Sequence, residues 1–144
     1  MKFSDIKKMV NNDLNIDETE LATESLKIPQ IHNKYIVILS DEKILLSKLK
    51  TDMKRLIREK WLYYSGKMSE DELKDRGWEP FQLNILKTDI DKFIESDTEI
   101  ITLINSLSVQ EQKVSYLEEI IKNINGRQWM IKSAIEWMKF TNGV

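Results

Sequence analysis

The stretch REKWLYYSGK, Arg58 to Lys67, packs three cations, three aromatic rings and a Ser-Gly stop into ten residues. Upstream of it nothing breaks a helix as far back as Pro29. A first helical turn accepts that proline, because the N–H it lacks has no partner there. Downstream, Gly66 supplies the left-handed residue on which helices end. The spacing predicts one helix of roughly 35 residues, about 50 Å long at 1.5 Å per residue. Ile31, Tyr35, Ile38, Leu45, Leu49, Met53 and Leu56 recur along it every three or four residues, the period of an amphipathic helix.

The rest of the chain reads in the same way. Ser4 starts a short helix to about Asn12, with Ile6, Met9 and Val10 on one side, and Asp17 or Thr19 starts another through Leu21 and Leu26. Ser69–Glu72, SEDE, is a capping box for one or two turns ending near Gly77. The turn GWEPF, Gly77 to Phe81, offers Trp78 and Phe81 to the core. Leu83 to Ile94 has helical spacing, and SDTE, Ser96 to Glu99, is a second capping box. A final helix runs from Asp97 to about Phe140, and Gly126 need not end it because no proline follows. The expected fold is all-α: an N-terminal helical bundle built on the long helix (residues 1–80), then a long C-terminal oligomerisation helix (residues 81–144).

Composition agrees. Four glycines and two prolines in 144 residues leave little turn punctuation, and 32% charged residues suit helices with wet faces. A chain this long buries about 70% of its unfolded surface, so no staple is needed. There is no cysteine, which excludes disulfides and thiolate metal sites. No apolar run approaches the roughly 18 residues of a membrane span, and the N-terminus lacks a signal-peptide core. A soluble cytoplasmic protein is expected, with no membrane partner.

The formal net charge of −2 is unevenly spread. Lys43–Lys67 holds eight cations and two anions, leaving 14 cations and 22 anions elsewhere. At 100° per residue, Lys50, Lys54 and Arg58 fall within about 60° of Lys43, with Lys48 and Arg55 beside them. Leu45, Leu49, Met53, Leu56 and Ile57 take the opposite arc. Two residues stand out of place. Trp61 lands on the cationic ridge, where it either stacks on the bases of a single strand or is covered by the GWEPF turn or another subunit. Lys60 lands in the apolar arc, near enough to the helix end to snorkel outward. Tyr63 and Tyr64 fall on the core side as packing residues with wet hydroxyls. The ridge as a whole is either a polyanion surface or a solvated helix face.

The last turns place Trp129, Met130, Ile131, Ala134, Ile135, Trp137, Met138 and Phe140 within twelve positions. A helix apolar nearly all round is covered on more than one side. Another subunit is the simplest cover, and a tail folded into its own domain is the alternative. Trp129, Met130, Ile131, Ile135, Trp137 and Met138 are the candidate oligomer interface. No catalytic set or metal site is legible: His32 is the single histidine, and no glycine-rich loop cradles phosphates. No enzyme activity and no cofactor are expected.

At LIREKWLYYSGK the sequence resembles the UvsY family, the recombination mediators of T4-like bacteriophages. In that family a basic-x-basic pair ends a long helix before an aromatic pair, Ser-Gly and a basic residue. Here Arg58 and Lys60, then Tyr63, Tyr64, Ser65, Gly66 and Lys67 take those places. The likeness continues more loosely from about Ile44 to the end. It implies a non-enzymatic protein of phage homologous recombination, acting in the cytoplasm of the infected bacterium. Such a protein binds single-stranded DNA and assembles through its C-terminal helices into a ring of roughly six or seven subunits. It meets a recombinase and a single-strand-binding protein, and helps displace the latter so that the recombinase loads. By the resemblance Arg58 and Lys60 are DNA contacts; with the ridge, the candidate set is Lys50, Lys54, Arg55, Arg58, Lys60, Trp61 and Lys67. The family's Lys-Ala-Arg-Leu is here Arg58-Glu59-Lys60-Trp61, which sets an anion between the two cations and an aromatic in place of an aliphatic residue. The residues alone also allow a helical scaffold or adaptor oligomer whose basic ridge binds an acidic protein.

Overall fold

A computed structural model describes residues 1–143. Among them are five α-helices and one short 3-10 turn, and no strand. The helices are α1 (Phe3–Asp13), α2 (Leu21–Tyr64), α3 (Glu70–Arg76), α4 (Ile90–Glu95) and α5 (Thr98–Thr141), with the 3-10 turn at Lys87–Asp89. The all-α expectation holds, with α2 and α5 each 44 residues long.

Three elements differ in extent from the sequence reading. The two helices expected around Pro29 are one, with Pro29 inside α2. A proline there removes the bond to the carbonyl four residues back, a cost of about 3 kcal/mol in a free helix. Tertiary contacts hold the first turns instead: Glu24 is buried in them, 3.8 Å from the Arg127 guanidinium. The helix expected over Leu83–Ile94 shrinks to the 3-10 turn and α4, and Leu83 and Leu86 stand 63% and 71% exposed. Ile90 and Ile94 are buried in the core and Ile85 packs against it, but Leu83 and Leu86 between and before them find no cover. The cap of α5 is Asp97 rather than Ser96: its Oδ1 accepts the Glu99 and Ile100 N–H groups at 2.9 and 3.2 Å. The Ser96 hydroxyl turns back to the Lys92 carbonyl, at 2.9 Å.

The chain forms two compact units, residues 1–43 with 112–144 and residues 44–111. In the first unit Ile6 and Val10 of α1, Tyr35 and Leu39 of α2, and Leu117, Ile121 and Ile124 of α5 are buried. Polar ties frame this core. Asp13 Oδ2 accepts from Lys34 Nζ at 2.6 Å and from the Tyr35 hydroxyl at 2.8 Å. Arg127, 1% exposed, donates to the Leu14 carbonyl at 3.1 Å. The second unit is built on Leu56, Ile90, Ile94 and Ile100, with Met53, Tyr64, Trp78, Ile85 and Leu103 packed around them.

Candidate nucleic-acid interface

The end of α2 is fixed from both sides of its stop. Gly66 takes φ 75°, the Gly66 N–H bonds the Tyr63 carbonyl at 3.2 Å, and the Lys67 N–H bonds the Leu62 carbonyl at 2.9 Å. This is a Schellman turn, which closes the last orphan carbonyls and folds the chain back over the helix end. Its consequence is local: Lys67 returns beside Trp61, with the ammonium 5.0 Å from the ring centroid. At that distance the cation and the ring face attract.

Beyond the stop, Ser69 caps α3 by accepting the Glu72 N–H at 3.2 Å, as SEDE predicts. Gly77 ends α3 in the left-handed conformation at φ 69°. The next residues close an aromatic cluster on the core side of α2. Tyr63 lies 5.4 Å from Trp78 and 5.6 Å from Phe81; Tyr64 lies 5.0 Å from Phe81 and 5.5 Å from Phe93. The Tyr63 hydroxyl donates to the Glu79 carbonyl at 2.7 Å and the Tyr64 hydroxyl to Asp97 Oδ2 at 2.5 Å. Both tyrosines pack, but only the Tyr63 hydroxyl is near solvent. Burial first, then the Asp97 carboxylate, raises the Tyr64 hydroxyl well above its ordinary value.

Against this frame the seven candidate contact residues divide. Lys50, Lys54, Arg55, Arg58 and Lys67 are exposed, and Trp61 beside them is 37% exposed. Lys60 is not on this surface. It is 4% exposed, 3.0 Å from Asp97 Oδ2 and 3.6 Å from Glu99 Oε1, with its ammonium 3.8 Å above the Trp78 ring. A residue in the apolar arc of the wheel has no path outward once α5 and the GWEPF turn close over it. The apolar stem is buried and the charge is met by two carboxylates and a ring. Glu59, the anion between the two cations, is turned to α3, where it pairs with Arg76. The Glu59 hydrogen bond holds the Arg76 guanidinium above its ordinary value.

Asp97 is the residue that the sequence undersold. It caps α5, accepts the Tyr64 hydroxyl and pairs with Lys60. Burial pushes its carboxyl up, but the bonds from Tyr64, Lys60 and the Ile100 N–H outweigh that and hold it below its ordinary 3.8. The one available signal was its place in SDTE.

The candidate oligomer residues also divide. Trp129, Met130, Trp137 and Met138 are exposed, as is Phe140. Trp137 and Phe140, 65% and 76% exposed, stack at 5.8 Å. Ile135 is half-buried, whereas Ile131 is fully buried in the first unit's own core. Met130, Ala134, Trp137 and Met138 line an apolar groove of about 400 Å³ with Ile16 and Leu21. Among the described residues no acid, histidine or cysteine cluster could hold a metal ion, and no helix is long and apolar enough to cross a membrane.

Residues 9–144 match the family described as "Recombination, repair and ssDNA binding protein UvsY". Among curated proteins there is no match. Crystal structures of the bacteriophage T4 recombination mediator protein UvsY share the fold. The lattice type II structure superposes with a TM-score of 0.83 at 19% identity, covering 99% of this chain and 98% of that one. The lattice type IV structure gives 0.83 at 18%, over 97% and 99%.

Proposed function

The chain belongs to the UvsY family of recombination, repair and single-stranded-DNA-binding proteins, and on that premise we propose that it is a non-enzymatic recombination mediator. It binds single-stranded DNA without strong sequence preference along the exposed face of α2, through Lys50, Lys54, Arg55, Arg58 and Lys67 on phosphates and Trp61 against a base. It self-associates into a ring through the exposed apolar end of α5, centred on Trp129, Met130, Trp137 and Met138. In that form it helps a recombinase load onto strands covered by single-strand-binding protein during phage homologous recombination. Lys60 serves the same surface from beneath: held by Asp97 and Glu99, it anchors the end of the helix that carries the contacts.

The observation that carries this reading is the segregation at the end of α2. Five cations and one ring are open to solvent, while the neighbouring anion, Glu59, is occupied by Arg76. Cations following phosphates with a ring against the bases is the arrangement of sequence-tolerant single-strand binding. The test is anisotropy of labelled single-stranded oligonucleotides over a salt series, with Trp emission followed in the same titration. Tight binding with a steep salt slope and quenching is expected. No binding at low salt overturns the reading and leaves a structural oligomer whose ridge meets an acidic protein.

A further inference from the structure

A cavity of about 520 Å³ opens in the second unit beside the cationic face of α2. Leu56 and Leu103 give it an apolar surface, and Thr102 and Ser106 of α5 bring hydroxyls to it. Four charged side chains line it, and two of them are committed: Arg76 to Glu59, and Glu99 to the Trp78 indole N–H at 2.8 Å. The other two, Asp52 and Arg55, make no hydrogen bond or ion pair among the described residues. Asp52 is the anomaly. It is half-buried and, two positions from both Lys50 and Lys54, stands about 160° round the helix from them, beside Arg55 on the side that meets α5. An unpaired carboxylate beside an unpaired guanidinium suits a ligand with donors on one edge and acceptors on another, as a base has.

Resting on the single-strand reading above, we infer that this cavity takes one base of the bound strand, and that Asp52 with Arg55 selects guanine. The chemistry is that of the base edges. A carboxylate accepts two hydrogen bonds at once from guanine, through its ring N1–H and its 2-amino group. Thymine offers one N–H flanked by two acceptors, and adenine and cytosine pair one amino donor with a ring acceptor, so none presents adjacent donors to a carboxylate. The Arg55 guanidinium suits the O6 and N7 acceptors on the other side of the same base. Leu56 and Leu103 accept the base face, and the volume exceeds what one purine needs. Arg55 borders both the cationic face and the cavity, so where the strand presents a guanine it leaves the phosphates to Lys50, Lys54, Arg58 and Lys67 and meets the base that turns in.

The experiment is competition anisotropy at one salt concentration. Oligothymidylate is compared with the same oligomer carrying isolated deoxyguanosines, or isolated deoxyinosines, which lack the 2-amino group. For the full-length protein the deoxyguanosine strand is expected to bind at least about fivefold more tightly, the low end for one two-bond base contact. The inosine strand should fall between the two. D52A removes the preference while keeping affinity for oligothymidylate, since Asp52 lies off the face that carries Lys50 and Lys54. Ser106→Trp, which fills the cavity from an exposed position, removes it with Asp52 in place. Equal binding of all strands by the wild-type protein overturns the guanine site and leaves the mediator reading standing. A preference that survives D52A also overturns it. Failure of every strand to bind overturns both.

Discussion

Arg58 and Lys60 stand two apart in one basic run, and the structure predicts that removing them has opposite consequences. Lys60→Ala takes one partner from a buried pair: its ammonium is 3.0 Å from Asp97 Oδ2, and both residues are buried. Breaking such a pair from one side costs about 3–5 kcal/mol, because the other charge stays buried. Asp97 keeps the Tyr64 hydroxyl and two backbone N–H groups of α5, which favours the lower figure, about 3 kcal/mol. For a chain of this size that corresponds to a melting point lower by about 6–12 °C. Urea unfolding followed by circular dichroism, at one fixed protomer concentration, reads the loss as a fall in midpoint with an unchanged slope. Arg58→Ala, on an exposed side chain, should leave the unfolding free energy within about 0.5 kcal/mol of wild type. It should instead flatten the salt dependence of single-strand binding by about 0.7 in log–log slope, the share of one phosphate contact. The reasoning is refuted if Lys60→Ala keeps its midpoint and loses DNA affinity, since Lys60 then reaches the strand.

Three further outcomes are expected. Asp97 titrates below its ordinary 3.8, so its contribution to stability is complete above about pH 4 and is lost as the pH falls through its lower folded value. Asp97→Asn should therefore lower the urea midpoint at neutral pH and flatten the acid limb; an unchanged pH profile would show that the carboxylate is not the coupled group. Gly77→Ala meets no atom within 4 Å, so its whole cost is the φ of 69°, about 1–2 kcal/mol by chemical denaturation. A midpoint equal to wild type would mean that the turn relaxes freely. Replacing Trp137 and Phe140 together by Ala should yield smaller species in sedimentation velocity with the helical spectrum intact, as both rings are exposed in the chain; unchanged mass would exclude that end of α5 as the self-association surface.

Much of this was legible because the governing interactions are local. Gly66 and Gly77 each stop a helix through bonds to residues three to five positions back, so their neighbours in sequence are their partners in space. The wheel put Trp61 on the cationic face and Lys60 in the apolar arc, and both placements stand. What the wheel lacked was the environment of Lys60. Asp97, Glu99 and Trp78 come to it from distant parts of the chain, so a charge in the core arc read as a snorkelling side chain rather than a buried pair. Pro29 misled for the same reason: its local cost is real, but Glu24 and Arg127 hold the first turns from outside the helix. Leu83 to Ile94 misled in the other direction: Leu83 and Leu86 find nothing to bury them, and the helix forms only where Ile90 and Ile94 enter the core.

Charge arithmetic on the exposed face shows why self-association matters to the proposed activity. Five free cations, each releasing a counterion from a single strand, give a log–log salt slope of about −3.5 per protomer. A fourfold rise in salt then weakens one ridge by roughly a hundredfold. A single protomer therefore makes a poor holder of DNA at physiological ionic strength. A strand spanning two ridges in one assembly meets the second at an effective concentration near millimolar, so releasing it requires both contacts to open together. In the proposed assembly the two surfaces answer salt differently. Phosphate contacts on α2 would be screened, whereas burial of Trp137 and Phe140 against another copy would involve no charge and escape screening. Rising ionic strength, or a competing polyanion, can thus strip the strand from the ridges while the assembly persists. The proposed mediator, which holds a strand and then yields it to a recombinase, would need that separation: an adjustable electrostatic grip carried on a constant hydrophobic frame.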